Sequence, residues 1–399
     1  MRLSRRMCKG RKTVSLTFVV AGLAIISVFS SLRPLWASSP PVRREPQRDV
    51  FFLKTHKTAG SSVLNLLLRR AESEGLNLAL PREAEKHMMG YPQTFSPQKH
   101  LLNYSQCGLR PNLMALHMRY NETGVKEVMP PGTVYVTIMR RPTDLFASLF
   151  YYFMFDNIYD ANLTDFLREP FFVQTVRNAR LHESLGFNQM AFDLGIDGDD
   201  LAGRGSDDEV SRFVQSVDRD FHLVMIAERF TESVVLLREL LGWQLDDMVA
   251  FKHNVRVHRY PPPAEDAVRI LERANRVDEA LYRHFAAKLD RQVEAFGRGR
   301  MEAEAATLES RTDFWYRRCV GSTGSNQFRQ QEAVFEYAMR ENVSEGERRM
   351  CQLLTTPEQA FVKRARTRLF ALCPQASPAP TTTTTTTVAA SSRPDRGPR

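Results

Sequence analysis

Three short runs of apolar and β-branched residues stand out along the chain. They are residues 49–54 (DVFFLK), 133–139 (TVYVTIM) and 221–227 (FHLVMIA). Runs of this length, rich in Val, Ile, Phe and Tyr, are typical of buried β-strands. We therefore predict a buried strand at each of these three positions.

A stretch with helical character follows each run. Residues 61–70 and 234–241 carry apolar residues at helical spacing, and Pro142 stands at the favoured first position of another helix. A longer helical region is predicted at about 264–298, whereas the Gly- and Asp-rich segment 197–208 predicts a surface loop. The alternation of strands and helices predicts an α/β fold.

The longest apolar run lies near the N-terminus, at residues 13–32, and it contains no charged residue. About 20 residues at about 1.5 Å each span a bilayer core of about 30 Å. The basic residues before the run favour a cytosolic N-terminus and a lumenal C-terminus. The alternative is a cleaved signal peptide, although its apolar region is usually only about 7–15 residues long. In that case residues 37–39 (ASS) would be the cleavage site.

These patterns divide the chain into five parts. We predict a cytosolic tail (1–12), a transmembrane signal-anchor (13–32), an extended stem (33–48), a lumenal domain (49–373) and a tail (374–399). The tail contains seven consecutive threonines and many prolines, a composition that predicts disorder.

The net charge of +9 is concentrated at the two ends of the chain. The predicted cytosolic tail carries six positive charges and residues 393–399 carry a net two, so the remainder is close to neutral. Binding of a nucleic acid or another long polyanion usually requires a basic surface. The distribution of charge therefore predicts no nucleic-acid partner.

Most cysteines follow the predicted anchor and would lie in an oxidising lumen. They lack the CxxC spacing of zinc sites, so no metal site is predicted. These residues are Cys107, Cys319, Cys351 and Cys373, whereas Cys8 precedes the anchor. Four N-glycosylation sequons also follow the anchor and agree with a lumenal location, at Asn103, Asn121, Asn162 and Asn342.

Residues 51–62 (FFLKTHKTAGSS) lead from a predicted strand through a short loop into a helix. Such a loop directs backbone N–H groups and the positive end of the helix toward an anion. Gly60 allows close approach of the backbone, and Lys57 adds a full charge. The GxxxxGK[ST] pattern of ATP- and GTP-binding loops is absent. The alternative is a helix N-terminus that binds nothing.

A second anion-binding group is predicted after the strand 133–139. Arg140 ends this strand, and Ser148 follows two helical turns later. An arginine and a serine so placed can converge on one phosphate. Two anion sites at two strand ends suit a nucleotide with phosphates at both ends of its ribose.

Residues 54–65 (KTHKTAGSSVLN) resemble the 5′-phosphosulfate loop of galactose 3-O-sulfotransferases. Arg140-x-Pro142 with Ser148 resembles the 3′-phosphate motif of that family. The similarity extends over about residues 49–360. Its other stretches are 192–195 (FDLG), 223–243, 281–285 (LYRHF), 293–301 (VEAFGRGRM, most similar to the galactosylceramide sulfotransferase branch) and 351–359 (CQLLTTPEQ).

This resemblance implies a P-loop-kinase-like sulfotransferase fold with a central, mainly parallel sheet. It implies 3′-phosphoadenosine 5′-phosphosulfate (PAPS) as co-substrate, no metal, and transfer to the 3-hydroxyl of galactose in a glycolipid or a glycoprotein glycan. It also implies a single-pass type II protein of the Golgi membrane and a Cys319–Cys351 disulfide. The choice of acceptor, the cleavage of the anchor and the formation of a homo-oligomer stay open.

The resemblance also assigns roles to individual residues. Lys57 would stabilise the leaving oxygen, and His117, in LHMRY, is the favoured base with His56 as its rival. Lys57 is expected to bind the 5′-phosphosulfate together with Thr58, Ala59, Gly60, Ser61 and Ser62. Arg140 and Ser148 are expected to bind the 3′-phosphate. Tyr151 and Tyr152 would either stack on a sugar or belong to the core.

Some positions depart from the family pattern. Arg141 replaces the usual Asp or Asn after the motif arginine, and Phe187 replaces an arginine. Leu116 stands where an asparagine precedes the histidine. Two other functions therefore stay open: a glycosaminoglycan or uronyl O-sulfotransferase, and a catalytically degenerate lumenal protein that binds a nucleotide or a glycan.

Overall fold

Four parallel strands form the sheet at the centre of the fold. The structure, a computed structural model, describes residues 45–83, 88–180, 185–196, 201, 204–252, 260–326 and 334–376. The strands of the sheet are β1 (Val50–Leu53), β2 (Leu113–Met114), β3 (Val134–Met139) and β4 (Leu223–Ile226). Their order in the sheet is β2-β1-β3-β4, which places β1 and β3 side by side at the centre.

The register of the sheet explains its sequence pattern. Val136 of β3 lies between Phe52 of β1 and Leu223 of β4. Every residue of the four strands is buried, as expected of a parallel sheet covered on both faces. The three predicted strands are confirmed. The short strand β2 was not predicted, because two residues show no periodicity.

Helices follow three of the strands and cover the sheet. The helix after β1 begins at Gly60, the helix after β3 begins at Pro142, and the helix after β4 begins at Phe230. In chain order the described α-helices are α1 (Gly60–Glu74), α2 (Pro97–His100), α3 (Glu122–Val128), α4 (Pro142–Tyr152), α5 (Phe155–Tyr159), α6 (Leu163–Arg168), α7 (Pro170–Ala179), α8 (Gln189–Asp193), α9 (Asp207–Asp220), α10 (Phe230–Leu241), α11 (Glu265–Ala274), α12 (Arg276–Phe296), α13 (Arg298–Cys319), α14 (Glu345–Thr355) and α15 (Glu358–Leu372).

Two predictions of helices and loops need correction. The single helical region predicted at 264–298 is two helices, α11 and α12, which are separated at Asn275. In the predicted loop 197–208, Asp207 and Asp208 form the first turn of α9. Ser206 and Glu209 form a capping box there, and acidic residues stabilise the positive end of a helix.

Two disulfides fix the C-terminal part of the chain. The Cys319–Cys351 bond that the resemblance implied is present, and it joins the end of α13 to α14. A second bond joins Cys107 to Cys373, immediately after α15. Between α13 and α14, β5 (Val320–Asn326) and β6 (Val334–Met339) form an antiparallel pair.

The predicted anchor at 13–32, the cytosolic tail and most of the stem lie outside the described residues, as do residues 377–399 of the C-terminal tail. Within the described ranges, no helix combines the length and the apolar character that a membrane crossing requires. The sheet, its helices and the cavity lie within the unit that begins at Pro46.

Candidate active site

The loop between β1 and α1 has an unusual backbone. Lys57 and Ala59 both adopt left-handed conformations, with φ of 55° and 67°. The Thr55 hydroxyl donates to the Ile138 carbonyl (2.7 Å) and lies 2.8 Å from the Thr58 hydroxyl, so the loop is tied to the end of β3. A Cβ added at Gly60 would lie 3.1 Å from Cγ of Lys54, so glycine permits the close approach of the helix to the loop.

A cavity of about 670 Å³ lies at the carboxyl ends of β1, β3 and β4. Ligands of open α/β sheets commonly bind at this edge. Almost all predicted site residues line this cavity: His56, Lys57, Ala59, Gly60, Ser61, Ser62, His117, Arg140 and Ser148. Thr58 is the exception, because it is fully buried beneath the loop and its hydroxyl contacts Thr55.

Cationic side chains from two strand ends meet in the cavity. Nζ of Lys57 lies 3.2 Å from the centroid of the Tyr152 ring, a cation–π contact. Nη1 of Arg140 donates to the Lys57 carbonyl at 3.1 Å, so the arginine also supports the loop. Tyr152 lines the cavity, whereas Tyr151 is buried and its ring stacks on Tyr260 at 3.7 Å. Tyr151 therefore belongs to the core, whereas Tyr152 contacts Lys57 at the cavity.

His56 is oriented by a buried carboxylate. Its backbone N–H donates to Oδ2 of Asp193 (2.7 Å), and its Nδ1 lies 3.0 Å from the same oxygen. Asp193 is fully buried and also accepts from the Tyr91 hydroxyl (2.9 Å) and from Nε2 of Gln189 (3.0 Å). A proton on Nδ1 of His56 satisfies the carboxylate and leaves Nε2 as an acceptor. This is the arrangement of a histidine prepared to accept a proton.

His117 has a different environment. Its ring stacks on that of His56, with centroids 4.3 Å apart. Nδ1 of His117 is buried without a hydrogen-bond partner. Burial lowers the pKa of His117 well below its ordinary value of 6.5, and the nearby His56 and Lys54 lower it further. His117 is therefore neutral at neutral pH.

Two helix ends cap each other and hold Asp193 in place. The carboxylate of Asp278, in α12, accepts from the N–H groups of Met190 (2.9 Å) and Ala191 (2.8 Å) at the start of α8. In return, Oδ1 of Asn188 accepts from the N–H of Val277 at 3.1 Å. Asp193 is the last residue of α8, so this reciprocal capping fixes the carboxylate that orients His56.

Burial raises the pKa of Asp278 to about 7, although the two N–H donors oppose the shift. Because the folded-state pKa lies above the ordinary value of 3.8, the stability linked to this carboxyl is fully present below about pH 4 and is lost as pH rises through 7.

The unfolding free energy of the wild type should therefore fall between pH 5 and pH 8 by on the order of 2 kcal/mol more than that of the Asp278→Asn variant, which lacks this titrating group. Urea denaturation at several pH values measures this change. Asp313→Asn, at an exposed position, is the control. Parallel pH curves for the wild type and Asp278→Asn would contradict the assignment.

Sequence reasoning missed several groups of the site. Asp193 and Glu228 both lie in stretches that carry the resemblance, 192–195 and 223–243, but the sequence assigns a role to neither; Glu228 follows β4 and lines the cavity. Oε1 of Glu228 accepts from the Arg141 N–H at 2.8 Å. A polar residue just after a parallel strand was the available signal for Glu228. In the part of the chain that the structure describes, no cluster of three or more His, Cys, Asp or Glu side chains is arranged for a metal ion.

Comparison with known proteins gives a consistent result. A family model described as galactose-3-O-sulfotransferase matches residues 9–369. The human protein galactose-3-O-sulfotransferase 3 is 38% identical over 324 residues, which are 78% of this chain and 72% of that protein. Bovine galactosylceramide sulfotransferase is 32% identical over 338 residues, 80% of this chain and 78% of that protein. Pig galactose-3-O-sulfotransferase 2 is 34% identical over 363 residues, 84% of this chain and 86% of that protein.

Proposed function

Because the chain belongs to the galactose-3-O-sulfotransferase family and is therefore a sulfotransferase, we propose that it transfers a sulfuryl group from PAPS to the 3-hydroxyl of a galactose. The acceptor would be a galactose in a glycolipid or in a glycoprotein glycan. The names of the relatives, galactose-3-O-sulfotransferase and galactosylceramide sulfotransferase, support this choice. We further propose that the α/β fold is the P-loop-kinase-related fold of sulfotransferases, with a donor loop after β1.

The observation that carries the proposal is the meeting of two anion-binding groups in one cavity. Lys57 follows β1 and Arg140 follows β3, and the two strands are parallel neighbours. The first turn of α1 contains no acidic residue, and the helix has no side-chain cap, so its N–H groups suit an anion. These donors fit a nucleotide that is phosphorylated at both ends of its ribose.

In this proposal, PAPS supplies the sulfuryl group when it is bound. Lys57 and the start of α1, with Gly60, Ser61 and Ser62, hold the 5′-phosphosulfate. Arg140 and Ser148 hold the 3′-phosphate. The Lys57 ammonium stabilises the electron pair left on the bridging oxygen when the S–O bond breaks, and such charge stabilisation is a main source of catalysis in related phosphoryl transfers.

The acceptor hydroxyl must lose its proton as its oxygen bonds to sulfur. His117 was the favoured base in the sequence, but the geometry favours His56. Nδ1 of His56 faces Asp193, so Nε2 can take the proton, and the buried carboxylate then stabilises the resulting imidazolium. His117 lines the same cavity as a neutral ring stacked on His56.

Removal of Arg140 should mainly weaken nucleotide binding. We expect Arg140→Ala to lower the affinity for the product adenosine 3′,5′-bisphosphate (PAP) roughly tenfold to a hundredfold, because a charge-assisted contact with a phosphate is lost. Titration calorimetry measures this effect directly. Arg141→Ala is a matched control, since Arg141 is exposed and its side chain pairs with Asp144. Equal PAP affinity in wild type and Arg140→Ala would refute the phosphate-binding role.

The acceptor class can be tested with labelled PAPS. Galactosylceramide, a lactose-type oligosaccharide and heparan sulfate should be offered to the purified protein in parallel. Labelling of galactose acceptors at the 3-hydroxyl, and not of heparan sulfate, is the expected result. Labelling of heparan sulfate alone would favour a glycosaminoglycan sulfotransferase. PAP binding without any transfer would favour a catalytically degenerate protein that binds the nucleotide.

We also propose that the protein is a single-pass type II protein of the Golgi membrane, with its catalytic domain in the lumen. The apolar run at 13–32 supports this topology, and the Cys107–Cys373 and Cys319–Cys351 bonds suit an oxidising compartment. Protease protection in sealed Golgi vesicles tests the topology. Digestion of the catalytic domain without detergent would contradict it.

A further inference from the structure

The first turn of α15 reaches the donor loop from the far end of the chain. Oε2 of Glu358 lies 2.5 Å from Nζ of Lys54, the residue that directly follows β1. The Lys54 side chain is only 5% exposed and lines the cavity, and the Glu358 side chain is 27% exposed. The lysine of this ion pair therefore lies at the wall of the proposed donor site.

The position of Glu358 is fixed by several independent contacts. The Cys107–Cys373 bond holds the C-terminal end of α15, and the Cys319–Cys351 bond holds α14, which precedes it. Arg368 of α15 donates to the Leu76 carbonyl just after α1. Nδ2 of Asn65 in α1 donates to the Thr356 carbonyl at 3.5 Å. The disulfides and hydrogen bonds of α14 and α15 thus hold Glu358 against the loop.

The pair changes the electrostatics of the cavity wall. Lys54, Lys57, Arg140 and Lys252 all line the cavity, and the ammonium of Lys54 has the Glu358 carboxylate 2.5 Å away. A unit charge in a partly buried site has a large effect on a multiply charged ligand. Without Glu358, the positive charge of Lys54 would add to those of Lys57 and Arg140.

We propose that Glu358 is a positioning residue that neutralises Lys54, so that Lys57 and Arg140 provide the cationic contacts to the donor. The proposal rests on the function proposed above. Attraction that is equal for donor and product strengthens the binding of both without lowering the barrier to transfer. Neutralisation of Lys54 limits this attraction and allows PAP to leave after each turnover.

The test compares anion binding in a set of variants. Glu358→Gln should bind PAP about tenfold more tightly than wild type, with a steeper dependence on salt, because it leaves the Lys54 charge without its carboxylate. The donor KM and kcat should both fall. Glu358→Asp, which keeps the carboxylate, should behave like wild type. Titration calorimetry at two salt concentrations and steady-state kinetics measure these effects.

Glu358→Gln leaves the buried Lys54 ammonium without its carboxylate and could fail to fold. A second comparison therefore uses variants in which Lys54 is replaced. Lys54→Met alone leaves an extra negative charge and should bind PAP about tenfold more weakly than wild type. Lys54→Met/Glu358→Gln removes both charges and should restore the affinity to near that of wild type. Replacement of both partners of a buried ion pair is often tolerated by the fold.

Inorganic pyrophosphate should follow the same order of affinity as PAP. Pyrophosphate contains no nucleoside, so its affinity reports the charge of the cavity wall whether or not PAPS is the donor. Wild type that binds pyrophosphate but not PAP would therefore refute the proposed donor and leave the role of Glu358 standing. The role of Glu358 is overturned if Glu358→Gln binds both anions no more tightly than wild type, or if the double variant binds them as weakly as Lys54→Met.

Discussion

Replacement of Lys57 by methionine should lower kcat for sulfuryl transfer by about a thousandfold. Lys57 lies in a left-handed turn between β1 and α1, and its ammonium lines the cavity, where it rests on the ring of Tyr152. The charge that it would stabilise develops on the leaving oxygen only as the S–O bond breaks. The loss should therefore fall mainly on kcat, while PAP binds within about tenfold of the wild-type affinity.

Two control variants make this expectation specific. Lys363→Met removes an exposed lysine on α15 and should leave kcat unchanged. Tyr152→Leu removes the ring beneath the ammonium but keeps the charge, so a loss of about tenfold or less is expected. Single-turnover transfer to a galactose acceptor is the appropriate measurement, because it isolates the chemical step from product release. A Lys57→Met enzyme with wild-type single-turnover rate would remove Lys57 from the reaction.

The local parts of the site could be predicted from the sequence. The strand, the loop and the start of α1 occupy one continuous segment, and the hydrophobic pattern shows where the strand ends and the helix begins. Arg140 could be placed near Lys57 for the same reason, because both follow strands and the carboxyl ends of parallel neighbours share one edge of the sheet. Such features depend on short stretches of chain and on general rules of sheet geometry.

The groups that refine the site could not be predicted in this way. Asp193 is 137 residues from His56 in the chain, and Glu358 is 304 residues from Lys54. Neither pairing leaves a periodic signal, because each depends on how helices from distant segments pack on the sheet. The sequence also does not show which of Tyr151 and Tyr152 faces the cavity. Adjacent helical residues point in different directions, and only the packing shows that Tyr152 contacts Lys57 whereas Tyr151 stacks on Tyr260.

The proposal that His56 and not His117 is the base depends on contacts that the sequence does not show. In the sequence, His117 and His56 differ only in their neighbours, and the resemblance favoured His117. The contacts separate them, because His56 has a carboxylate at Nδ1 while Nδ1 of His117 is buried without a partner. A base must be oriented as well as able to take the proton, and the Asp193 carboxylate orients the ring of His56 through Nδ1.

The largest loss should follow when the orientation of His56 is disturbed. Asp193→Asn preserves size and can still accept from the His56 backbone N–H, but its amide can donate to Nδ1 of His56. The imidazole would then carry its proton on Nε2, where the acceptor's proton should go. We expect kcat to fall about a thousandfold or more in Asp193→Asn, and by a similar factor in His56→Ala.

The same variants decide whether His117 is the base. If His117 accepted the proton, Asp193→Asn would change kcat only severalfold, because the hydrogen bonds described for Asp193 are with His56, Tyr91 and Gln189. The pH dependence adds a second criterion. Because burial holds the pKa of His117 well below 6.5, a reaction that used it would keep its rate far into the acidic range. With His56 as the base, kcat should fall only about tenfold in His117→Gln but about a thousandfold or more in His56→Ala.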